Sequence, residues 1–323
     1  MLDYIKRLFE IKNNVSGALK AKISCSHEKS SPLHRLPGAE SCPLRLFSFW
    51  DGADAELRLI QVLSAVLHKR ARGFREVHVW SVFGPPPSAR KSQDCLRVQF
   101  SGEAHYHDPL LFDVNLIPSI PGRGVVPLTL FALEMMKHTS LPDFCAERSI
   151  SQVDYARKKF CLFVVSNDKA RERIEFFEQL SRYKAVDSWG DVMNNQRGGR
   201  PPGKWWEKEY LDFIGQYRFM ICFENTAKDF YLTEKLMNAY AGGAIPVYWG
   251  CPQAKDLLND SAFLEINGPY SKRKADEVIK KIMEYESSYS AYRAVYENSL
   301  FKRGSIPPLF DRHGLADLVD QCR

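Results

Sequence analysis

The sequence predicts an α/β protein made of two parallel-sheet domains in tandem. Three observations carry this. Strand-length runs rich in β-branched and aromatic residues alternate with stretches of helical periodicity, and the alternation restarts after residue 157. The chain has 323 residues, 45% hydrophobic and 26% charged, enough for two cores of ordinary size. The segment from Phe219 to Gly250, FMICFENTAKDFYLTEKLMNAYAGGAIPVYWG, reads as strand, loop, helix, strand, the repeating unit of a parallel sheet.

The elements follow in order. Residues 1–43 read as an N-terminal helix and a linker. Leu2, Ile5, Leu8 and Phe9 share a face with Lys6, Arg7 and Lys12 nearby, which suits either a surface helix of the domain or peripheral docking on a membrane. The Ser- and Pro-rich stretch from Ser24 to Pro43 is the linker. The first domain, 44–153, opens with the strand LRLFSFW. A turn at Asp51 to Asp54 offers a helix cap, and Leu57, Ile60, Leu63 and Leu67 lie at helical spacing. VHVWSVFG is a strand stopped by Gly84 and three prolines, Leu96 to Phe100 is another, and strand–helix alternation is expected up to about Leu130. The basic run Arg157 to Lys159 reads as an exposed boundary before the second domain, 154–300. There Phe160 to Val165 is a strand, Ser166-Asn167-Asp168 signals a helix start, and Ile174, Phe177 and Leu180 mark a helix face. Asp187 to Lys204 reads as a long loop. Ala275 to Tyr292 reads as one helix, and 301–323 as a C-terminal tail ending in a short helix.

Composition excludes several classes. The net charge is +6 and the isoelectric point about 8.8, with Lys and Arg dispersed, so nucleic acid is not an expected partner. None of the eight cysteines forms a C-x-x-C pair, and Cys161 and Cys222 sit within apolar strand patterns, which favours a reduced, cytoplasmic protein. No apolar run reaches membrane-spanning length.

In a parallel sheet, ligands bind where strands end and helices begin. Along Phe219–Gly250 that edge carries Glu224, Asn225, Tyr231, Glu234 and Lys235, a set that suits a sugar nucleotide. Arg173 and Lys235 stand in or near the first turns of helices that follow strands. A cation is unfavourable there by itself, so each hints at an anion, although a solvated surface charge would read the same way. Glu103 follows a first-domain strand and suits a general base, with Asp108 and Asp113 as rivals. His105 and His107 could hold Zn²⁺, but no third ligand stands at a recognisable spacing. Trp189, Trp205 and Trp206 could stack on sugars or simply pack.

FENTAKDFYLTEK followed by AIPVYWG resembles the signature of the α1,3/α1,4-fucosyltransferases. KKFCLFVVSNDKARERIEFF, FSFWDG and RVQFSGE resemble further segments of that family, sparsely in the first domain. The resemblance implies the GT-B fold, two Rossmann-like domains facing a central cleft. It implies an inverting transferase that moves L-fucose from GDP-β-L-fucose to an N-acetyllactosamine-like oligosaccharide acceptor. Another donor or acceptor, or a catalytically silent glycan- or nucleotide-binding protein, remains the alternative. Glu103 and Glu234 become the expected catalytic residues. Ser166, Asn167, Arg173, Asn195, Glu224, Asn225, Tyr231, Glu234 and Lys235 become the expected donor contacts, with Arg173 and Lys235 on the phosphates. No metal site and no required cofactor is expected, a divalent ion such as Mn²⁺ being at most stimulatory. The expected location is the cytoplasm, with peripheral contact at the inner face of the membrane.

Overall fold

The computed structural model describes residues 42–50, 53, 56–88, 93–138, 143–302 and 306–322. The expected N-terminal helix and nearly all of the linker lie outside them, as does the turn at Asp51 to Asp54 except Ala53. Among the described residues no helix is long and apolar enough to cross a membrane.

Two all-parallel, five-stranded sheets form the frame. The first contains β1 (Leu44–Phe47), β2 (Glu76–Trp80), β3 (Cys95–Phe100), β4 (Val114–Ile117) and β5 (Val125–Pro127), in that spatial order. Helix α1 (Leu57–Leu67) joins β1 to β2 and buries Leu59, Leu63 and Val66. The expected alternation fails beyond β2: among the described residues no helix separates β2 from β3, and only a 3-10 turn at Pro109–Leu111 separates β3 from β4. Gly84 with its three prolines, and Pro109, leave too few consecutive helix-competent residues in these connections. Helices α2 (Leu130–Lys137) and α3 (Gln152–Arg157) lead to the second sheet.

That sheet holds β6 (Lys159–Val165), β7 (Asp187–Gly190), β8 (Tyr217–Ile221), β9 (Ile245–Tyr248) and β10 (Leu264–Glu265), ordered β10-β9-β8-β6-β7. The order reverses between β6 and β8, so the crevice beyond their carboxyl ends is a topological switch point. Helices α4 (Arg171–Ser181), α5 (Lys208–Ile214), α6 (Glu234–Ala241), α7 (Ala254–Leu257), α8 (Lys272–Ser287) and α9 (Tyr289–Tyr296) connect or follow these strands. Three readings are corrected. The stretch 187–204 is not all loop, because Asp187–Gly190 pairs with β6 as an edge strand too short and polar to show an apolar run. Helix α4 starts at Arg171 rather than at Ser166–Asp168, so those residues form an open turn at the end of β6. The helix expected at Ala275–Tyr292 is two helices broken at Ser288, whose hydroxyl caps α9.

Side-chain alternation divides the core. Cys161, Phe163 and Val165 of β6, with Phe219 and Ile221 of β8, pack against α8 and α9 residues including Val278, Ile282 and Tyr292. Leu162 and Met220 point the other way, into a cluster that continues through Leu236 and Phe131 to the core of the first sheet. Each such fully buried side chain contributes about 1.5–3 kcal/mol. The last helix, α10 (Arg312–Gln321), returns from the second sheet's side of the chain and places Leu315 and Val319 in that same cluster.

The basic boundary near residue 158 is not simply exposed. Lys158 Nζ donates to the carbonyls of Gly215 (2.5 Å) and Gly243 (2.8 Å), just past the ends of α5 and α6. Arg148 donates to Tyr240 O (3.0 Å) and Ala244 O (3.2 Å) and stacks on the rings of Tyr240 and Tyr296. Cations at helix carboxyl ends satisfy the orphan carbonyls and oppose the dipole. Burial pulls Lys158 down to about 8, aided by the neighbouring Arg148.

Candidate active site

The switch point brings together the ends of β6 and β8. Arg173, in the first turn of α4, is 4% exposed. Its Nη1 donates to Asn225 Oδ1 (2.9 Å), and its Nη2 to Asn167 Oδ1 (2.8 Å) and Asn167 O (3.2 Å). One guanidinium therefore ties the two strand ends across the crevice. No carboxylate among the described residues makes an ion pair with it, so its charge is compensated only by more distant groups. Burial pulls the guanidinium down from its ordinary value, while Glu224 pushes it back up.

A second set surrounds the N-terminus of α6. Glu224 is completely buried. Its carboxylate accepts from Thr233 N (2.7 Å), Thr233 Oγ1 (2.7 Å), Lys235 Nζ (3.3 Å) and Tyr248 OH (3.4 Å). Burial raises Glu224, and Lys235 opposes the rise. Lys235 also donates to Thr233 Oγ1 (2.8 Å) and lies 3.6 Å from Glu234 Oε1. Burial alone would depress the Lys235 ammonium, but Glu234 and Glu224 together outweigh it and hold it up.

The first sheet supplies the third part. Glu103 lies just past β3 in a loop closed by Ser101, whose Oγ accepts from Glu103 N (3.1 Å) and donates to His105 O (2.7 Å). Burial raises the Glu103 carboxyl, Lys235 lowers it and Glu234 raises it. Charges from the second sheet's side therefore lie within electrostatic range of Glu103. The rival carboxylates serve local structure: Asp108 caps the 3-10 turn at Leu110 N (3.0 Å), and Asp113 accepts from Arg97 N (2.9 Å) at the start of β4, the opposite edge of the sheet.

Beside the crevice, at the carboxyl ends of β8 to β10, lies a cavity of about 620 Å³. Trp249, Gly250, Glu265, Tyr270, Thr226 and Lys228 line it, with Arg171 and Glu172 of α4. The Trp249 and Tyr270 rings meet edge-on at 6.3 Å, and Tyr270 Oη is buried with no hydrogen-bond partner among the described residues. Burial lifts Glu265 to about 7, with Lys255 pulling against the rise.

Most of the expected site residues thus converge, in two ways. Asn167, Asn225 and Arg173 are bonded together, Lys235 pairs with Glu234, Lys235 lies within electrostatic range of both Arg173 and Glu103, and Ser166 opens the turn beside Asn167. Tyr231 is 3% exposed beneath them, with its phenol raised by burial. Two expected donor contacts turn inward. Glu224 spends its oxygens on Thr233, Lys235 and Tyr248, because a buried carboxylate must be saturated with donors, and it serves as the anchor of α6. Asn195 accepts from Ser188 N (2.8 Å) and donates to Val186 O (2.9 Å), stapling its loop to β7. The tryptophans also pack: Trp189 meets Phe213 edge-on at 5.2 Å, and Trp205 and Trp206 meet each other at 5.0 Å. His107 is held through its backbone by Gln99, and no cluster of three metal-ligating side chains occurs among the described residues. Sequence reasoning missed the cavity side chains Glu265, Tyr270 and Lys228. Of these, Lys228 had a signal, since it lies inside the segment that carries the edge residues.

Two parallel sheets with a switch-point crevice define a GT-B protein, and solved structures agree. One titled "Crystal Structure of alpha1,3-Fucosyltransferase" superposes with a TM-score of 0.63, at 22% identity, over 90% of this chain and 93% of that one. Another, of an alpha1,3-fucosyltransferase with GDP-fucose, gives 0.56 at 22% identity, over 77% and 79%. Residues 155–302 match the domain described as glycosyltransferase family 10 (fucosyltransferase) C-term, and through it the chain resembles the fucosyltransferases of that family. The alpha-(1,3)-fucosyltransferase FucT of Helicobacter pylori is 30% identical over 175 residues, 53% of this chain and 34% of that protein. The GDP-fucose protein O-fucosyltransferase 3 of Xenopus laevis is 28% identical over 195 residues, 58% and 41%. The chain thus spans between a third and a half of the length of these curated relatives.

Proposed function

We propose that the chain is an inverting α1,3/α1,4-fucosyltransferase that moves L-fucose from GDP-β-L-fucose to a hydroxyl of a GlcNAc-containing glycan. The observation that carries this reading is the contact of the Glu103 loop with the loop before α6, Lys228 Nζ to Ala104 O at 2.5 Å, which brings Glu103 within electrostatic range of Lys235 and Glu234 beside a cavity of nucleotide size. In the reaction the acceptor oxygen forms a bond to the anomeric carbon as the bond to the diphosphate breaks. Glu103 takes the hydroxyl proton, and its raised pKa brings it closer to the range suited to a base at neutral pH. GDP leaves as an anion, so no acid is needed; Lys235 and the buried field of Arg173 stabilise it. Glu234 faces the charge that develops on the sugar.

No divalent metal is required in this mechanism, because two side-chain cations, Lys235 and Arg173, can offset the charge of the leaving diphosphate. Calorimetry with GDP-fucose, GDP-mannose and UDP-sugars, followed by GDP release with N-acetyllactosamine in the presence of EDTA, tests the reading. Tight binding of GDP-fucose alone and EDTA-resistant turnover are expected. Preference for a UDP-sugar would overturn the donor, and complete, reversible loss in EDTA would overturn the metal-free mechanism. A second acceptor reading is favoured by the relatives named protein O-fucosyltransferase, in which a protein hydroxyl takes the place of the glycan. GDP release with a folded protein acceptor but not with N-acetyllactosamine would select it.

A further inference from the structure

The loop between β8 and α6 crosses from the second sheet to the first. Midway along it, Lys228 donates its ammonium to the carbonyl of Ala104 at 2.5 Å and stands 4.1 Å over the ring of Tyr106. Tyr106 in turn bonds Ser119, just past β4, at 3.2 Å. Ala104 follows Glu103 directly. The Glu103 loop is therefore held at its base by Ser101, from its own sheet, and at its tip by a lysine from the other sheet.

The other side of the same loop faces the cavity, where Thr226, Lys228 and Asp229 form part of the wall. Asp229 Oδ1 accepts from Gln253 Nε2 (2.9 Å), and Gln253 Oε1 accepts from Phe230 N (2.9 Å). Phe230 itself holds a φ of +56°. A bulky side chain adopts that conformation only when its surroundings impose it. The loop is thus braced through three consecutive residues, Lys228, Asp229 and Phe230, the last of them strained, and is in contact with both the cavity and the loop that carries the base. A lysine in a nucleotide cavity ordinarily serves the phosphates. Here the ammonium is already used by a carbonyl and an aromatic face across the cleft.

We propose that Lys228 is a positioning residue that couples filling of the cavity to the placement of Glu103. This rests on the reading of Glu103 as the base and of the cavity as the seat of the nucleotide. A nucleotide that packs against the 226–229 wall stiffens the loop, and through Lys228 it stiffens the turn that aims the carboxylate.

The test uses the full chain, GDP as the probe, and the variants Lys228→Met and Lys228→Arg. Amide hydrogen exchange over 102–107 is measured with and without GDP, GDP affinity by calorimetry, and turnover by GDP release from GDP-fucose with acceptor. In the wild type GDP should slow exchange in this loop by about fivefold or more. Lys228→Met should speed basal exchange there, leave β3 and β4 unchanged, and abolish the response to GDP while GDP affinity stays within about threefold. Its kcat should fall by about tenfold with the donor KM unchanged, and Lys228→Arg should restore most of the loss. Combining Lys228→Met with Glu103→Gln should cost no more than Glu103→Gln alone, since one residue acts through the other. A GDP-binding Lys228→Met protein whose loop still responds to GDP overturns the coupling alone. Loss of GDP affinity in Lys228→Met makes the residue a ligand contact and overturns the positioning role. A wild type that does not bind GDP defeats the functional reading, and the coupling falls with it.

Discussion

Glu103 owes its raised carboxyl to burial, with Lys235 and Glu234 acting on it in opposite directions. A carboxylate past a strand is ordinarily solvated, and Glu103 differs because the facing half of the molecule covers it and brings Lys235 and Glu234 within range. Replacing it with Gln keeps the shape and removes the proton acceptor. We expect Glu103→Gln to lower turnover by roughly 10²–10⁴-fold while GDP affinity and melting temperature hold. Turnover within a few-fold of wild type, measured by GDP release, would demote Glu103 to a covered bystander. Arg173 is a different case. Its guanidinium is a structural tie between Asn167 and Asn225 as well as a source of positive field, so truncating it disturbs stability and donor binding together.

At the scale of elements, the strand ends decide where ligands can go. Gly250, just past β9, has a φ of +148°, and a Cβ there would lie 2.5 Å from Glu224 Cγ. Glu224 cannot yield, because its carboxylate anchors the N-terminus of α6 through Thr233. Gly250→Ala should therefore destabilise the protein by about 2 kcal/mol or more, visible as a lowered urea midpoint. An unchanged midpoint would show that this packing is softer than it looks. Glu265 ends β10 and walls the cavity, with its pKa lifted to about 7 by burial. The folded state therefore holds this proton to higher pH than the unfolded chain, whose Glu releases it near its ordinary value. The stability that Glu265 lends is complete in acid and is lost as pH rises through about 7. Glu265→Gln should flatten the fall of melting temperature between acid and pH 8 and leave the protein relatively more stable at the alkaline end. A wild-type melting temperature that rises over this range with no change in the variant would contradict the assignment.

For the whole molecule, the chain's return matters most. After completing the second sheet's helices it sends α10 back, where Leu315 and Val319 join the cluster that also contains Leu59, Leu63 and Val66 of α1. Leu315→Ala should cost about 2–5 kcal/mol, read by chemical denaturation. That cluster runs on to Leu162 and Met220 of the second sheet, so the two halves should melt together and saturating GDP should raise the variant's midpoint as it raises the wild type's. A variant midpoint that GDP leaves unchanged would mean that the halves melt separately.

The sequence by itself determined β1 to β3 of the first sheet and β6, β8 and β9 of the second, because a strand buried on both faces must be written as a continuous apolar run, as in FCLFVV and FMICF. It also determined the helix that opens at Glu234, since Thr233 before it and Gly242-Gly243 after it bound a periodic segment. The family resemblance rested on the same residues, because they lie close together along the chain. Short edge strands such as Asp187–Gly190 left no trace, since one exposed side needs no apolar residue. Side-chain direction was equally illegible. Glu224 and Asn225 are adjacent in sequence, yet one is sealed against Thr233 and the other meets Arg173 at the crevice. Only the tertiary structure could decide which way each turns, because burial and hydrogen-bond partners come from residues far along the chain. It alone brought Lys235 within electrostatic range of Glu103 and set Lys228 against Ala104, across 132 and 124 positions, where no spacing rule reaches.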